Sequence, residues 1–234
     1  MNTALIIAGG VGSRAGQEIP KQFLTVNEIP IIIYTLKTFQ EHKNIDRIVV
    51  VCLTGWHEVL KAYCRQFGIS KLEAIVESGA SRFDSVYNGV SFLSTFAQDS
   101  DIITMHDANR PLISAELIDR GQETALLHGN ALAVIPCNDA MYISKSGKEA
   151  DEYADKKVLF QGQTETFRYS VLKEICDRAR EQGLGDFSNC ALMLKFGVKV
   201  HLCAGDPRNF KITTPEDIDM FKALLAVPRT RKVK

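Results

Sequence analysis

The sequence predicts an α/β fold: a mostly parallel sheet with helices on both faces and a protruding β-arm. Three observations carry this. Apolar, β-branched runs alternate with helically periodic segments along most of the chain. Those runs are continuously apolar rather than alternating, as strands buried on both faces are. One polar stretch, too long for a simple connection, interrupts the order and accounts for the arm.

The elements follow in sequence. Residues 4–7 read as a short buried strand ending at Gly9-Gly10, and 30–39 have helical periodicity. Strands are expected at 47–51, 74–76, 102–105 and 131–135, with helices at 58–67, 83–93 and 115–127 between them. Residues 141–163 carry Ser-Lys-Ser-Gly-Lys and several acids, and read as a hairpin arm or a loop, placed at about 139–163. Helical periodicity returns at 167–180, and 198–202 look like a last strand. Thr214, Pro215, Glu216 and Asp217 then open a C-terminal helix: a capping hydroxyl, proline at the first helical position and acids in the first turn. Without an internal repeat or a low-complexity linker, residues 1–234 read as one domain with an arm.

Composition narrows the function classes. The 28 basic and 28 acidic residues cancel, so no global positive field recruits nucleic acid, and an anionic ligand needs a local cluster. The basic run from Arg229 to Lys234 reads as a solvated terminus. No apolar stretch approaches the ~20 residues of a membrane span, and the N-terminus lacks the basic and apolar regions of a signal peptide. The six cysteines are scattered without a C-x-x-C pair, which argues against zinc and against a disulfide scaffold. The expected compartment is the cytoplasm.

The most informative segment is Ala8-Gly9-Gly10-Val11-Gly12-Ser13-Arg14-Ala15-Gly16, followed by Pro20-Lys21-Gln22-Phe23. It follows the first strand, where open α/β sheets bind ligands. Its glycines let backbone N–H groups approach an anion, and Arg14 and Lys21 add cations. A dinucleotide fingerprint fits poorly. Ala15 stands at the last glycine position, Pro20 would interrupt the following helix, and the ribose-binding acid is missing. The Gly-Lys-Ser/Thr of a P-loop is absent, and a purely structural turn leaves the two cations unexplained.

Further motifs follow in order: Glu77 to Gly89, containing Gly79, Arg82 and Ser85; His106-Asp107-Ala108-Asn109-Arg110-Pro111; Gln161-Gly162-Gln163-Thr164 with Phe167-Arg168; and Asn209-Phe210-Lys211-Ile212-Thr213-Thr214-Pro215-Glu216-Asp217. Asp107 ends a strand, and a carboxylate there suits Mg²⁺, which takes a few oxygens together with phosphates. Read alone, Asp107 and Arg110 equally suit a structural ion pair. Together the motifs resemble those of the sugar-phosphate cytidylyltransferases, the methylerythritol-phosphate and ribitol-5-phosphate types. Gln161 to Thr164 with Phe167-Arg168 bring the chain closer to the ribitol type.

The resemblance implies a Rossmann-like domain, usually a homodimer through its arm, that transfers CMP from CTP to a phosphorylated sugar alcohol. It implies nucleotide contacts at Ala8, Gly9, Gly10, Gly12, Gly79, Arg82 and Ser85, and catalytic cations at Arg14, Lys21 and Lys211. Asp107 would hold Mg²⁺, and Arg110, Lys156 and Thr164 would meet the acceptor. CTP and a small polyol phosphate are the expected partners, with neither nucleic acid nor membrane. Departures fall on the acceptor side. Ala140 stands for the family's Thr, Lys156 or Lys157 for an arm Arg, and Glu165-Thr166 for Pro-Gln. A Thr-Asp pair is replaced around Phe187-Ser188-Asn189, with Asp186 close by. Lys for Arg loses the bidentate fork at a phosphate, so methylerythritol phosphate is not the expected acceptor. Its cytidylyltransferase remains the alternative reading, followed by a non-catalytic nucleotide-binding regulator. A change of donor to UTP or GTP also stays open.

Overall fold

The computed structural model describes residues 1–10, 19–185 and 187–227. Its centre is a seven-stranded sheet. In chain order the strands and helices are β1 (Asn2–Ala8), the two-residue strands β2 (Thr25–Val26) and β3 (Ile29–Pro30), α1 (Ile31–Glu41), β4 (Arg47–Cys52), α2 (His57–Gln66) and β5 (Leu72–Glu77). They continue with α3 (Arg82–Leu93), β6 (Ile102–Asp107), α4 (Ala115–His128), β7 (Asn130–Pro136), β8 (Met141–Ile143) and β9 (Glu152–Ala154). The chain then forms β10 (Phe160–Arg168), α5 (Tyr169–Glu181), α6 (Asn189–Lys195), β11 (Leu202–Ala204) and α7 (Pro215–Leu225).

The sheet order is β11-β7-β10-β6-β1-β4-β5. All its strands run parallel except β10, which pairs antiparallel with both β6 and β7. Strand β1 is flanked by β4 on one side and β6 on the other, so the winding reverses there. The crevice beyond the carboxyl ends of β1 and β6 is the topological switch point, the usual ligand site of such sheets.

Burial on both faces explains the apolar strands. Ala4, Ile6, Ala8, Ile48, Val50 and Cys52 face one core, closed by Leu36 and Phe39 of α1, Leu60 of α2 and Ile118 of α4. Leu5, Val49, Val51, Ile103 and Met105 face the other, closed by Val86 of α3, Leu172 of α5 and Leu192 of α6. Alternate residues of one strand serve opposite cores, as a period of two requires. A smaller cluster joins Val26, Ile31, Leu112, Ile212 and Phe221, and seats α7 beside α1. No helix among the described residues is long and apolar enough to cross a membrane.

The local signals hold at helix ends. Thr214 caps α7 in a reciprocal box with Asp217, with Pro215 at the helix start. Ser81 and Asp84 form the same box at α3. Three segments differ from expectation. Phe167 and Arg168 end β10, and α5 begins at Tyr169, because Phe167 pairs with Ile103 and is buried in the sheet. The last strand is Leu202–Ala204 rather than 198–202, set by its parallel register with Leu132, Ala133 and Val134. Within the stretch expected as an arm, β8 and β9 form an exposed two-stranded sheet of their own, whereas residues 160–163 already belong to β10. Helix α6 and the β2–β3 hairpin carry too little periodicity to stand out in the sequence. The hairpin turns on Asn27 and Glu28, with φ of 49° and 63°.

Candidate active site

Two cavities meet at the switch point. Asp107, the last residue of β6, lies in register with Ile7 of β1, and the Ala108 N–H donates to the Ile7 carbonyl at 2.9 Å. One cavity, about 390 Å³, is lined by Ala8, Gly9, Gly10, Gln22, Gly79 and Ser85. The other, about 760 Å³, is lined by Arg110, Gly162, Gln163, Glu165, Cys190 and Leu194. Arg82, Asp107 and Lys211 border both. A carboxylate with cations around it therefore sits where two ligands would touch.

Asp107 is engaged on one oxygen. Arg110 donates through Nε to Oδ2 at 3.1 Å, and Lys211 Nζ lies 3.1 Å from the same atom. Burial by itself would raise the Asp107 carboxyl. The charges of Lys211, Arg110 and Arg82 outweigh it and hold the group well below the usual carboxylate range. Among the described residues these contacts leave Oδ1 to the cavities, and no group of three His, Cys, Asp or Glu side chains forms a metal cage there. A single strand-end carboxylate beside room for phosphates fits Mg²⁺, which keeps most of its coordination in water and phosphate oxygens.

The supports are buried polar groups. His106 is 2% exposed; its Nε2 lies 3.1 Å from the Arg110 carbonyl and its Nδ1 2.9 Å from the Thr164 hydroxyl. A carbonyl only accepts, so Nε2 carries the proton and Thr164 donates to Nδ1. Thr164 Oγ1 in turn accepts from Asn209 Nδ2 at 3.3 Å. Burial pushes His106 down to about 4, so the ring is neutral at physiological pH. Asn209 also accepts Arg110 Nη1 on its carbonyl at 3.0 Å. Asn109 and Ile212 exchange two bonds, Nδ2–H to carbonyl at 2.8 Å and N–H to carbonyl at 2.9 Å. These bonds fix the segment that presents Lys211.

The glycine segment is clamped from below. Gln22 is 5% exposed and its Nε2 donates to the Ala8 carbonyl at 2.7 Å and to the Gly10 carbonyl at 3.1 Å. Gly9 and Gly79 are required by close approach. A Cβ on Gly9 would fall 2.8 Å from Ser78 Cβ, and one on Gly79 would fall 2.2 Å from Asp84 Cβ. Ser85 accepts the Gly79 N–H at 3.0 Å and donates to the Ser81 carbonyl at 2.9 Å, so its hydroxyl is spent on shaping this wall.

The structure places the expected site residues differently. Ala8, Gly9, Gly10, Gly79, Arg82, Ser85, Asp107, Arg110 and Lys211 line the paired cavities. Lys21 opens a short 3₁₀ turn and its Nζ donates to the Thr213 carbonyl, two residues from Lys211. Thr164 is buried beneath His106 rather than on the cavity wall. Lys156 sits on the arm, donating to the Asn138 carbonyl at 3.0 Å, and lines neither cavity. Gly12, Arg14 and Asp186 lie outside the described residues. Gln22, Asn209 and Glu165 were not among the expected site residues. A glutamine inside a glycine-rich motif and an asparagine two residues before a motif lysine are the signals that point to the first two, and the acceptor-side departure at Glu165-Thr166 is the signal for the third.

Comparison with known proteins identifies the family. The family model IspD, 2-C-methyl-D-erythritol 4-phosphate cytidylyltransferase, matches residues 2–227. The chain is 38% identical over 229 residues to the ribitol-5-phosphate cytidylyltransferase of Lacticaseibacillus paracasei, covering 96% of this chain and 98% of the relative. It is 35% identical to the protein of that name from Vibrio parahaemolyticus, covering 96% of each. The crystal structure of the 2-C-methyl-D-erythritol 4-phosphate cytidylyltransferase of Thermus thermophilus superposes with a TM-score of 0.76 at 25% identity, over 95% of this chain and 98% of that one. With a family model matching residues 2–227 and relatives above 30% identity over nearly its full length, the chain belongs to the IspD family of cytidylyltransferases.

Proposed function

We propose that the protein transfers CMP from CTP to ribitol 5-phosphate, giving CDP-ribitol and pyrophosphate. The observation that carries this is the border shared by the two cavities at Arg82, Asp107 and Lys211, with the glycine segment on one side and, on the other, a larger chamber that sets Arg110, Gln163 and Glu165 among apolar side chains. CTP occupies the smaller cavity and the acceptor the larger. The names of the relatives from L. paracasei and V. parahaemolyticus support ribitol 5-phosphate as the acceptor.

The acceptor's phosphate oxygen attacks the α-phosphorus in line; a new P–O bond forms as the bond to the β-phosphate oxygen breaks. The nucleophile is already anionic, so the work is positioning and charge stabilisation. Lys211 and Arg82 neutralise the phosphates where they meet, and Arg110 fixes the orientation of Asp107. Lys21, and Arg14 by resemblance, serve the triphosphate. Asp107 would hold Mg²⁺, whose chemistry is neutralisation of adjacent phosphate oxygens.

The arm supports a homodimer. Tyr142, Ile143 and Tyr153 of the arm, with Val158 and Phe160 leading into β10, expose apolar surface that a second copy would cover, and Lys156 follows the arm's second strand. A cytoplasmic location accords with six free thiols. A precursor role in a cell-wall or capsule polymer would follow from the product.

The test is pyrophosphate release with CTP and Mg²⁺ against ribitol 5-phosphate, methylerythritol 4-phosphate, other tetritol and pentitol phosphates and glycerol phosphate. Turnover with ribitol 5-phosphate, lost on chelation and on Lys21→Ala, is expected. A strong preference for methylerythritol 4-phosphate overturns the acceptor, and near-normal turnover by Lys21→Ala overturns the site assignment.

A further inference from the structure

We infer that Glu165 is the specificity-determining residue that accepts hydrogen bonds from the acceptor's hydroxyl chain, at the end remote from its phosphate. The inference rests on the acceptor reading above and names the group that would recognise the polyol.

Glu165 is 5% exposed and lines the larger cavity. Its Oε1 accepts the Cys190 N–H at 3.0 Å and its Oε2 accepts Asn189 Nδ2 at 3.3 Å. The Cys190 thiol donates to the same carboxylate. A carboxylate offers about four acceptor sites, so these three bonds orient the group and still leave room for a ligand hydroxyl. Among the described residues no ion pair involves Glu165, in contrast to Asp107. A buried carboxylate without a cation is costly, and closing α6 does not require one. Ser188 already caps that helix through the Ala191 N–H, and a neutral amide would accept the Cys190 N–H equally well. A buried charge set on a cavity wall is the informative kind of polar residue.

Sheet register gives its distance from the reacting end. Glu165 on β10 is paired with Met105 on β6, and Asp107 is two residues further along β6. Residues directly opposite share a face, as do residues two apart, so Glu165 and Asp107 point to the same side of the sheet. Such diagonal neighbours lie roughly 7–8 Å apart, the span of a short polyol chain. The charges set the direction. Lys211, Arg110 and Arg82 gather at Asp107 and receive the phosphate, while the Glu165 carboxylate repels it and accepts from hydroxyls. Gln163 does not compete for this role, because its amide is committed to the Asp206 backbone through bonds of 2.8 and 3.0 Å.

The experiment compares wild type and Glu165→Gln, which keeps shape and the Cys190 bond while removing the charge. The substrates are ribitol 5-phosphate and 1-deoxyribitol 5-phosphate, which lacks the hydroxyl remote from the phosphate, with KM read separately for acceptor and CTP. Wild type is expected to lose about tenfold or more in kcat/KM on the deoxy substrate, as for a hydrogen bond to a charged group. Glu165→Gln is expected to lose as much on ribitol 5-phosphate, to discriminate little between the two substrates, and to keep its KM for CTP and its Tm. Unchanged acceptor kinetics in Glu165→Gln, or an equal loss in CTP affinity and Tm, overturns the inference while leaving the proposed function intact. Wild-type silence on every polyol phosphate overturns both, and is recognised before the variant is measured.

Discussion

Lys211 Nζ and Arg110 Nε converge on one oxygen of Asp107, each at 3.1 Å. The other Asp107 oxygen and the free side of Lys211 are thereby turned to the junction of the cavities. Lys211 is 39% exposed and Arg110 stays paired with Asp107 without it, so loss of the Lys211 pair costs limited stability while its charge is available to phosphates. Lys211→Ala is expected to lower kcat by roughly 10²–10³, the size of losing one preorganised charge at a transition state. Tm should move by less than about 4 °C. Steady-state pyrophosphate release and a thermal melt together check this; a collapse of Tm matching the activity loss would assign Lys211 to the scaffold instead.

The buried ring of His106 makes folding stability depend on pH. Its folded value is depressed from 6.5 to about 4, so between these values the unfolded chain binds the extra proton. Stability from this group is full above pH 6.5 and is lost as pH falls toward 4, by about 3 kcal/mol in all. Asp107 adds to the slope only at the acid edge, since its share is full well above the unfolded value of 3.8 and is lost as pH falls below it. Denaturant midpoints measured from pH 7.5 to 4 should fall across the window in wild type. In His106→Gln, whose amide can still donate to the Arg110 carbonyl, the His106 share of that slope should vanish.

What the sequence made legible follows from the range of each signal. Continuous apolar runs at 47–51 and 102–105 marked β4 and β6 because burial on both faces is written in the strand itself. Thr214 and Pro215 marked the start of α7 for the same local reason. The antiparallel β10 was not legible. Its pairing with β6 and β7 depends on residues far away in the chain, and Phe167 reads equally well as the first apolar position of a helix. At the site, Asp107, Arg110 and Lys211 were found through motifs, but their convergence on one oxygen is a tertiary fact. Thr164 shows the limit: its motif suggested an acceptor contact, whereas the fold buries it under His106.

Gly79→Ala tests the wall between the glycine segment and α3. The added Cβ would lie 2.2 Å from Asp84 Cβ and 2.7 Å from the Asp84 carbonyl carbon, so the first turn of the helix must move. Asp84 is half of the capping box with Ser81, and that box shifts with it. Overpacking of this kind costs roughly 1–3 kcal/mol. The variant should show a lowered Tm and a KM for CTP raised about tenfold, with a smaller change for the acceptor. Calorimetry and initial rates at varied CTP measure both effects, and normal values of each would show that the wall yields without consequence.

Gln22 offers the corresponding test of the glycine segment from beneath. Its amide holds the Ala8 and Gly10 carbonyls from a largely buried position on the wall of the smaller cavity, so it fixes the direction of the backbone at the cavity's mouth. Gln22→Ala removes both donors and leaves two carbonyls short of a partner, at a cost of about 1–3 kcal/mol. Because Ala8 and Gly10 border the smaller cavity, the kinetic loss should fall on CTP, raising its KM by roughly tenfold, while the acceptor KM is preserved. Gln22→Glu separates geometry from hydrogen bonding. It keeps the shape but turns a carboxylate toward two carbonyl oxygens, and is expected to be worse than Ala in both Tm and KM for CTP. If Gln22→Glu were instead close to wild type, the amide would be ornamental and the packing of Phe23 against Trp56, at 4.4 Å between ring centroids, would be what positions this segment.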